Sequence, residues 1–465
     1  MKSKVKRGFL AAVMLSSVAL NCFGMTVNAA NVVGIPATEI DSVYNLEVDS
    51  NTLSGWEKGP QIYSESGIVM DIDSGAILYA KNIDDQHYPA SITKVMTALV
   101  ALQNYEMDEV VSFTWDDVGF LEYGDAHIGI KPDEQVGMED CMYGMLLASA
   151  NEVSHAIGAH MEGGYGEFLK VMNETASALG CKNSNWMNTH GLHDEEHYTS
   201  ARDMALIGSA VFQYEKFREI TNTKQHTIPT TNITDETRTF QQNHDMIWEG
   251  SSRYYEYCVG GKTGYTDQAL TTLVTFATKE DRNLVAVVMR THGGGRNAYS
   301  DTREMLDYAF EKFSKVSVTL DTLKNDQISE IEEDAYIMLP SGVSFDNLEY
   351  VLDEPSELED KVGEITYLYE GHPVGSMEVT ITEERYNQIH GIEDVEEKQE
   401  EKQEEKQKEE SELPTPVKLI LGIVSIIVLV LITLVCFVKY RRKELERKRR
   451  LRRMQRRKQM REYDN

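Results

Sequence analysis

Cysteine and basic residues are both scarce in this sequence. Five cysteines occur in 465 residues, and 46 lysines and arginines face 76 acidic residues, which gives a net charge of −30. Cys22 and Cys436 lie in apolar terminal stretches, which leaves Cys141, Cys181 and Cys258 for the rest of the chain. An odd number of cysteines among small or apolar neighbours predicts buried thiols and not a disulfide framework. The acidic balance argues against a nucleic-acid partner, because binding a polyanion requires a basic surface.

Patterns for metal and nucleotide chemistry are missing or incomplete. No His-Glu-x-x-His motif occurs, so the sequence gives no support for a metallopeptidase. Gly261-Lys262-Thr263 looks like the end of a phosphate-binding P-loop, but the leading glycine would have to stand at Glu256, and a predicted strand follows where a P-loop requires a helix. His190, His193 and His197, with acidic residues between them, leave a metal cluster as an alternative for that loop. We expect no cofactor and no metal.

The amino terminus has the composition of a secretory signal peptide. Basic residues at 2–7 precede the apolar stretch Phe9–Leu20, and the small residues of Val27–Ala30 supply a cleavage site. The sequence therefore predicts a signal peptide at 1–30, with the mature chain outside the cytoplasmic membrane and a lead segment at 31–61.

The carboxyl-terminal end predicts a membrane anchor. Residues 394–417 form a charged linker rich in Glu, Lys and Gln. Leu419–Val438 is an uncharged apolar run of 20 residues, long enough to cross a bilayer core of ~30 Å, so a transmembrane helix is predicted at 418–438. Residues 439–465 hold fourteen lysines and arginines against four acidic residues, and the positive-inside rule keeps this tail in the cytoplasm, beside anionic lipids.

The order of strands and helices between these ends predicts an α+β fold. Gly67–Ile72 and Ala76–Lys81 are typical of a hairpin, and β-branched strands follow at Thr271–Thr278 and Asn283–Met289. Helical spacing predicts helices at 141–161, at 167–180, after the capping residue Ser200 and at 299–313. Strands at both ends of this unit predict one antiparallel sheet with a helical cluster inserted between its halves, over residues 62–315.

The residue pattern changes near residue 316. Short strand candidates alternate with Gly, Pro, Asp and Asn, which predicts a small all-β domain at 316–393. We see no catalytic pattern in it. The candidate strands are Ala335–Leu339, Leu348–Leu352, Glu364–Tyr369 and Gly375–Ile381.

The stretch around Ser91 carries the first pattern typical of catalysis. Ser91 and Lys94 stand three residues apart at the start of a predicted helix that follows Pro89, so their side chains are neighbours. Burial disfavours the charged form of a lysine, and a neutral Lys94 can take the proton of Ser91 and make its hydroxyl a nucleophile. The pattern is weak alone, because Ser3-x-x-Lys6 matches it inside the predicted signal peptide.

Two further motifs follow in order. Ser149-Ala150-Asn151 lies at a predicted helix junction, and Lys262-Thr263-Gly264 lies just before a predicted strand. The series S-x-x-K, S-x-N and K-T-G resembles the signature of the penicilloyl-serine transferases. In detail the chain resembles the serine-type D-Ala-D-Ala carboxypeptidases, the low-molecular-mass penicillin-binding proteins, with a β-lactamase/transpeptidase-like fold. The resemblance is carried by 89–94, 146–152, 172–180, 199–205 and 261–266.

The resemblance implies roles for the catalytic group. Ser91 would attack the penultimate D-Ala carbonyl with Lys94 as its base, and an acyl-enzyme would form. Ser149 would relay a proton to the leaving amine, and Asn151 would hold the substrate amide.

It also implies a substrate-binding group on one strand. Lys262 and Thr263 would bind the terminal carboxylate, Gly264 would allow close approach, and the backbone N–H of Tyr265 would stabilise the oxyanion together with that of Ser91. We expect peptidoglycan stem peptides as substrates and β-lactam antibiotics as inhibitors.

Alternatives remain open at this point. A D,D-endopeptidase or a β-lactamase could use the same motifs, although the Glu-x-x-Leu-Asn pattern of class A β-lactamases is absent after Ser149. An inert wall-binding scaffold would not need all three motifs intact. The expected location is the bacterial cell membrane, with one span and the catalytic domain outside the cytoplasm.

Overall fold

The computed structural model describes residues 40–354, 361–391 and 422–433. Contacts separate a unit that ends at Tyr386 from a unit that begins at Asn387. Every described strand lies in the first unit. In the second, an exposed helix covers 422–433.

Most of the predicted terminal features lie outside the described residues. These include the signal peptide at 1–30, the linker at 394–417 and the basic tail at 439–465. Of the predicted span at 418–438, only 422–433 is described. Across the described ranges, no helix has the length and apolar character needed to cross a membrane.

In chain order, five helices follow one another at 138–222, and five strands come after them at 225–291. The described strands are β1 Ser64–Asp71, β2 Ile77–Lys81, β3 Val110–Ser112, β4 Gln135–Gly137, β5 Gln225–Ile228, β6 Arg238–Gln241, β7 Cys258–Thr266, β8 Leu270–Lys279, β9 Arg282–Thr291, β10 Phe313–Ser317, β11 Ile328–Ile331, β12 Tyr336–Pro340, β13 Glu349–Asp353, β14 Val362–Tyr369 and β15 His372–Ile381. The described helices are α1 Ile40–Tyr44, α2 Thr93–Asn104, α3 Trp115–Val118, α4 Met138–Leu147, α5 Asn151–Ala159, α6 Tyr165–Ala178, α7 Ala201–Phe212, α8 Glu215–Asn222, α9 Gly295–Lys312, α10 Leu320–Leu323 and α11 Glu383–His390.

A five-stranded antiparallel sheet organises the catalytic half. Its strand order is β2-β1-β9-β8-β7, so the first hairpin joins strands that follow it by some 200 residues. Successive side chains of a strand point to opposite faces. In β9, Val285 and Val287 therefore join the core under the helices, whereas Leu284, Ala286 and Val288 join the core on the other face. Helices cover the first face, as the sequence predicts.

The second sheet is four-stranded, in the order β11-β15-β14-β13, with β10 and β12 paired beside it. Its inward side chains, such as Ile365 and Met377, share one apolar cluster with Met305 and Phe310 of α9. All four predicted strands after residue 316 are present. The boundary between a 62–315 domain and a 316–393 domain stays a prediction, because the two sheets share this cluster within one unit.

The predicted helix at Ser91 begins later than expected. Residues 90–92 form a 3-10 turn, and α2 starts at Thr93. Ala90 has φ of +50°, outside the helical region, which displaces the turn from the helix that follows. Residues 93–101 of α2 are all buried, so this helix is the centre of the helical cluster and not a surface helix.

Candidate active site

The turn that carries Ser91 is fixed from two sides. The carbonyl oxygen of Ala90 accepts a hydrogen bond from Thr93 Oγ1 at 2.8 Å, and Thr272 Oγ1 on β8 donates to Pro89 O at 2.8 Å. The Cα of Gly191 also packs against this turn, and a Cβ there would lie 1.9 Å from the oxygen of Ala90. Ser91 is therefore held at the end of the sheet before any substrate arrives.

Lys94 is fully buried beside this serine. Its Nζ lies 3.1 Å from Ser91 Oγ, 2.8 Å from Asn151 Oδ1 and 2.5 Å from the backbone oxygen of His190. Burial, and then the nearby charge of Lys262, holds the pKa of Lys94 well below that of an ordinary lysine. The arrangement favours a neutral amine.

A neutral amine has two N–H groups and one lone pair. The oxygens of Asn151 and His190 can only accept, so they take the two N–H groups of Lys94. The lone pair then faces Ser91 Oγ, whose hydroxyl donates to it. The two acceptors thus aim the base at the nucleophile, which is the geometry that general-base activation of serine requires.

Ser149 and Lys262 form the second half of the site. Ser149 lies between α4 and α5 with φ of +63°, a conformation that costs energy for a residue with a Cβ. Its Oγ accepts a hydrogen bond from Lys262 Nζ at 3.1 Å, and Lys262 Nζ also donates to Thr263 O at 2.8 Å. Burial lowers the pKa of Lys262 to about 7.

The predicted substrate-binding residues lie along β7, an outer strand of the sheet. Thr263 is half-buried, and Tyr265 is 63% exposed with its hydroxyl donating to Asp267 Oδ1 at 3.1 Å. A Cβ at Gly264 would lie 2.3 Å from Thr272 Oγ1 and 3.0 Å from Ser91 N. Only glycine lets β7 approach the nucleophile this closely, so the structure brings all three motifs to one cleft.

The histidine-rich loop has a structural role. His197 Nε2 donates to Thr93 Oγ1 at 2.8 Å, and its Nδ1 accepts from the backbone N–H of Met187 at 2.9 Å. Burial lowers the pKa of His197 to about 3. Both ring nitrogens of His197 thus have partners within the protein. Over the described ranges, no group of three or more potential ligands could hold a metal ion.

Sequence reasoning missed the backbone oxygen of His190 as a partner of Lys94. A carbonyl is present at every residue, so no residue type marks its use. Thr272, which fixes the Ser91 turn, was also missed, because it stands in a strand as an ordinary β-branched residue.

Comparisons with known proteins agree with the resemblance that the motifs carry. The family model for D-alanyl-D-alanine carboxypeptidase, peptidase family S11, matches residues 54–293, just over half of the chain. This match confirms the resemblance drawn from the motifs.

Curated relatives carry the same description. D-alanyl-D-alanine carboxypeptidase DacF of Bacillus subtilis is 31% identical over 255 residues, 54% of this chain and 63% of that protein. D-alanyl-D-alanine carboxypeptidase DacA of Escherichia coli K12 is 28% identical over 362 residues, 70% of this chain and 84% of that protein. The match thus covers less than two thirds of the Bacillus protein's length.

Solved structures support the fold. The Streptomyces K15 DD-transpeptidase superposes with a TM-score of 0.51 at 24% identity, over 55% of this chain and 99% of that one. The D-alanyl-D-alanine carboxypeptidase of Mycobacterium tuberculosis H37Rv superposes with a TM-score of 0.50 at 27% identity, over 56% of this chain and 95% of that one.

Proposed function

Because the chain belongs to the D-alanyl-D-alanine carboxypeptidase family, we propose that it is a serine-type carboxypeptidase that removes the terminal D-alanine from peptidoglycan pentapeptide stems. The observation that carries the proposal is the buried Lys94 amine, directed at Ser91 by two oxygen acceptors. β-Lactam antibiotics would acylate the same serine.

The reaction would proceed in two halves. Ser91 Oγ attacks the penultimate D-Ala carbonyl as Lys94 accepts its proton, and the backbone N–H groups of Ser91 and Tyr265 hold the oxyanion. Ser149 passes a proton to the leaving amine, and D-alanine departs. Water then attacks the acyl-enzyme, adds its hydroxyl to the acyl carbon and returns a proton to Ser91.

Substrate binding would use the outer edge of β7. The peptide backbone adds to this edge as a further strand, and Asn151 orients its amide. Thr263 and Lys262 bind the free carboxylate, which would make the enzyme act at chain ends. A D,D-endopeptidase acting on cross-links would depend less on this carboxylate.

Labelling with fluorescent penicillin tests the nucleophile. The parent protein should be labelled, and Ser91→Ala should not. Equal labelling of Ser91→Ala would refute the role of Ser91. Release of D-alanine from a D-Ala-D-Ala peptide, followed by mass spectrometry, tests the activity itself.

A second measurement separates a carboxypeptidase from a β-lactamase. The penicilloyl adduct of a carboxypeptidase should persist long enough to be trapped with excess penicillin. Rapid multiple turnover of penicillin without an accumulated adduct would favour a β-lactamase instead.

For the location we propose a single-pass bacterial membrane protein with its catalytic part outside the cytoplasm. The support is the charge-free run at 419–438 and the basic residues that follow it. A chain truncated at residue 417 should leave the membrane fraction while keeping its penicillin labelling. Retention of the truncated chain in that fraction would contradict the anchor.

A further inference from the structure

The backbone oxygen of His190 is one of the two acceptors that aim Lys94, and its position is set locally by Asn188. Asn188 Oδ1 accepts from the backbone N–H groups of His190 at 3.3 Å and Gly191 at 2.6 Å, and its Nδ2 donates to Leu192 O at 3.0 Å. These bonds define the shape of segment 188–192. They do not fix how the segment lies against the rest of the molecule.

The backbone oxygen of Thr189 anchors the segment, because it accepts from Thr97 Oγ1 and Ser154 Oγ, both at 2.6 Å, and the ring of His190 adds the next contact along the segment. Its ring stacks on Phe120 with centroids 5.1 Å apart, and Phe120 lies 5.2 Å from the ring of His155. His155 in turn stacks on Tyr165 at 4.1 Å, and its Nδ1 lies 2.8 Å from Asp117 Oδ1. Four rings from four segments thus form one continuous aromatic group behind the catalytic lysine.

Helix α5 connects this group to the site. Asn151 Oδ1 accepts from the buried amine, Ser154 Oγ donates to Thr189 O at 2.6 Å, and the rings of His155 and His190 lie 6.5 Å apart. Residues four apart lie on the same face of a helix. Asn151 and His155 are four apart, so one face of α5 supports both acceptors of the base.

We propose that His155 is a positioning residue for the general base, and that its ring, packed with Phe120 against His190, holds His190 so that the backbone oxygen directs Lys94 at Ser91. The inference rests on the proposed function, since it concerns acylation of Ser91. His155 itself touches neither the nucleophile nor the base in the contacts described above.

Loss of the ring should change both the rate and its pH dependence. The charges that act on Lys94 are Lys262, which lowers its pKa, and Glu152 and Asp125, which raise it. The charged partner of His155 is Asp117, and His190 faces it from the neighbouring loop. If the segment loosens, water can reach the amine, the desolvation that lowers its pKa weakens, and the pH midpoint of acylation rises.

The chain offers a matched control on the same helix. His160, at the carboxyl end of α5, pairs with Glu109 at 2.9 Å and packs edge-on against Tyr105 at 5.2 Å. The side chains of His155 and His160 are 19% and 23% exposed. The two histidines are similarly buried, although the side chain of Asp117 is buried and that of Glu109 is 39% exposed, and only His155 joins the ring group behind Lys94.

The experiment measures the rate of acylation by fluorescent penicillin against pH for His155→Ala, His155→Phe and His160→Ala, with folding checked by circular dichroism. We expect His155→Ala to be about tenfold slower, since a misplacement of ~1 Å can cost ~10²-fold. Its pH midpoint should rise by about half a unit. His155→Phe keeps the ring and should come within about threefold of the parent rate, and His160→Ala should keep both parent values.

Either of two results would overturn the proposal. One is that His155→Ala matches His160→Ala in rate and pH midpoint. The other is that His155→Phe, which folds with a ring in place, is as slow as the alanine variant. Failure of the parent protein to label at Ser91 would instead refute the proposed function, so the two failures are distinct.

Discussion

The two edge strands of the five-stranded sheet, β2 and β7, differ in what contacts their outer sides. All five residues of β2 are buried, and Ile77 O at its edge accepts from His372 Nε2 at 2.6 Å. In the turn before β2, Ser74 O accepts from Ser376 N at 2.7 Å. In the described residues no strand pairs with the outer side of β7. An edge without a partner strand is open to strand addition, which is the binding mode proposed above for the peptide.

Each edge strand also carries one fully buried lysine. On β2, Lys81 Nζ donates to Val43 O at 2.9 Å and Ile62 O at 2.8 Å, and burial lowers its pKa to about 8. On β7, burial lowers the pKa of Lys262 to about 7, but its partner across the cleft is the hydroxyl of Ser149. The cost of burial is similar, whereas only Lys262 contacts a group that can exchange a proton.

The largest expected effect is that of Lys262→Met on catalysis. Removal of its charge from the cleft should lower kcat/KM for D-alanine release by roughly 10²–10³-fold, the usual cost of losing one electrostatic donor. Lys81→Met is the matched control and should stay within about twofold of the parent. A comparable loss in both variants would mean that the two edges do not differ in function.

The free energy of unfolding should fall more in Lys81→Met than in Lys262→Met. Lys81→Met removes the donor of Ile62 O, whereas Val43 O still accepts from Leu46 N at 3.1 Å, so the free energy of unfolding should fall by about 1–3 kcal/mol. Urea denaturation measures it. Lys262→Met should lose less, because the Ser149 hydroxyl reaches the cleft. The comparison fails if Lys81→Met is as stable as the parent.

Thr263→Val tests whether the outer edge of β7 recognises a free carboxylate. A charge-assisted hydrogen bond contributes ~1.5–3 kcal/mol, so kcat/KM on a D-Ala-D-Ala peptide should fall about ten- to a hundredfold. A substrate amidated at its carboxyl terminus lacks the charge, and the variant should lose much less against it. Equal losses on both substrates, or efficient cleavage of the amide by the parent, would remove carboxylate recognition from this strand.

The smallest expected effect is on the pH dependence of stability. Folded Lys81 loses its proton near pH 8, whereas an unfolded lysine does so near 10.5. Between these values the unfolded chain binds more protons, so the free energy of unfolding rises with pH. The parent should gain about 1 kcal/mol between pH 8 and 9 from this group, and Lys81→Met should lack that gain. Lys262→Met should instead lack the gain in stability that begins near pH 7, the pKa of folded Lys262. Identical pH curves for the parent and both variants would show that neither lysine is neutral when folded.

Much of the fold could be predicted because it depends on local patterns. The apolar alternation of the long strands, and the capping residue Ser200, whose Oγ accepts from Asp203 N at 3.2 Å, are readable from neighbouring residues. The short pairs β3–β4 and β5–β6 were not predicted, because three or four half-exposed residues carry too little periodicity.

Features that depend on distant partners could not be predicted. Lys81 ends a strand and looks like a surface lysine, but it is buried and its amine donates to the backbone oxygens of Val43 and Ile62. Likewise, the three motifs predicted the side chains of the site but not the carbonyl of His190, 96 residues from Lys94 along the chain. Their assembly depends on tertiary packing, which a pattern of residue types does not specify.

The position of β1 between β2 and β9 determines when this protein can complete its fold during synthesis. The first hairpin leaves the ribosome some 200 residues before β9, so β1 has only one of its two neighbours until residue 291 has been made. Pairing over such a separation is slow, and unpaired edges on the way are prone to aggregation. The helices between the hairpin and β7 are synthesised before β7 and can form first. During translation the helical cluster would therefore form while the sheet is incomplete. The cleft would form last, when β7, β8 and β9 pair with the first hairpin.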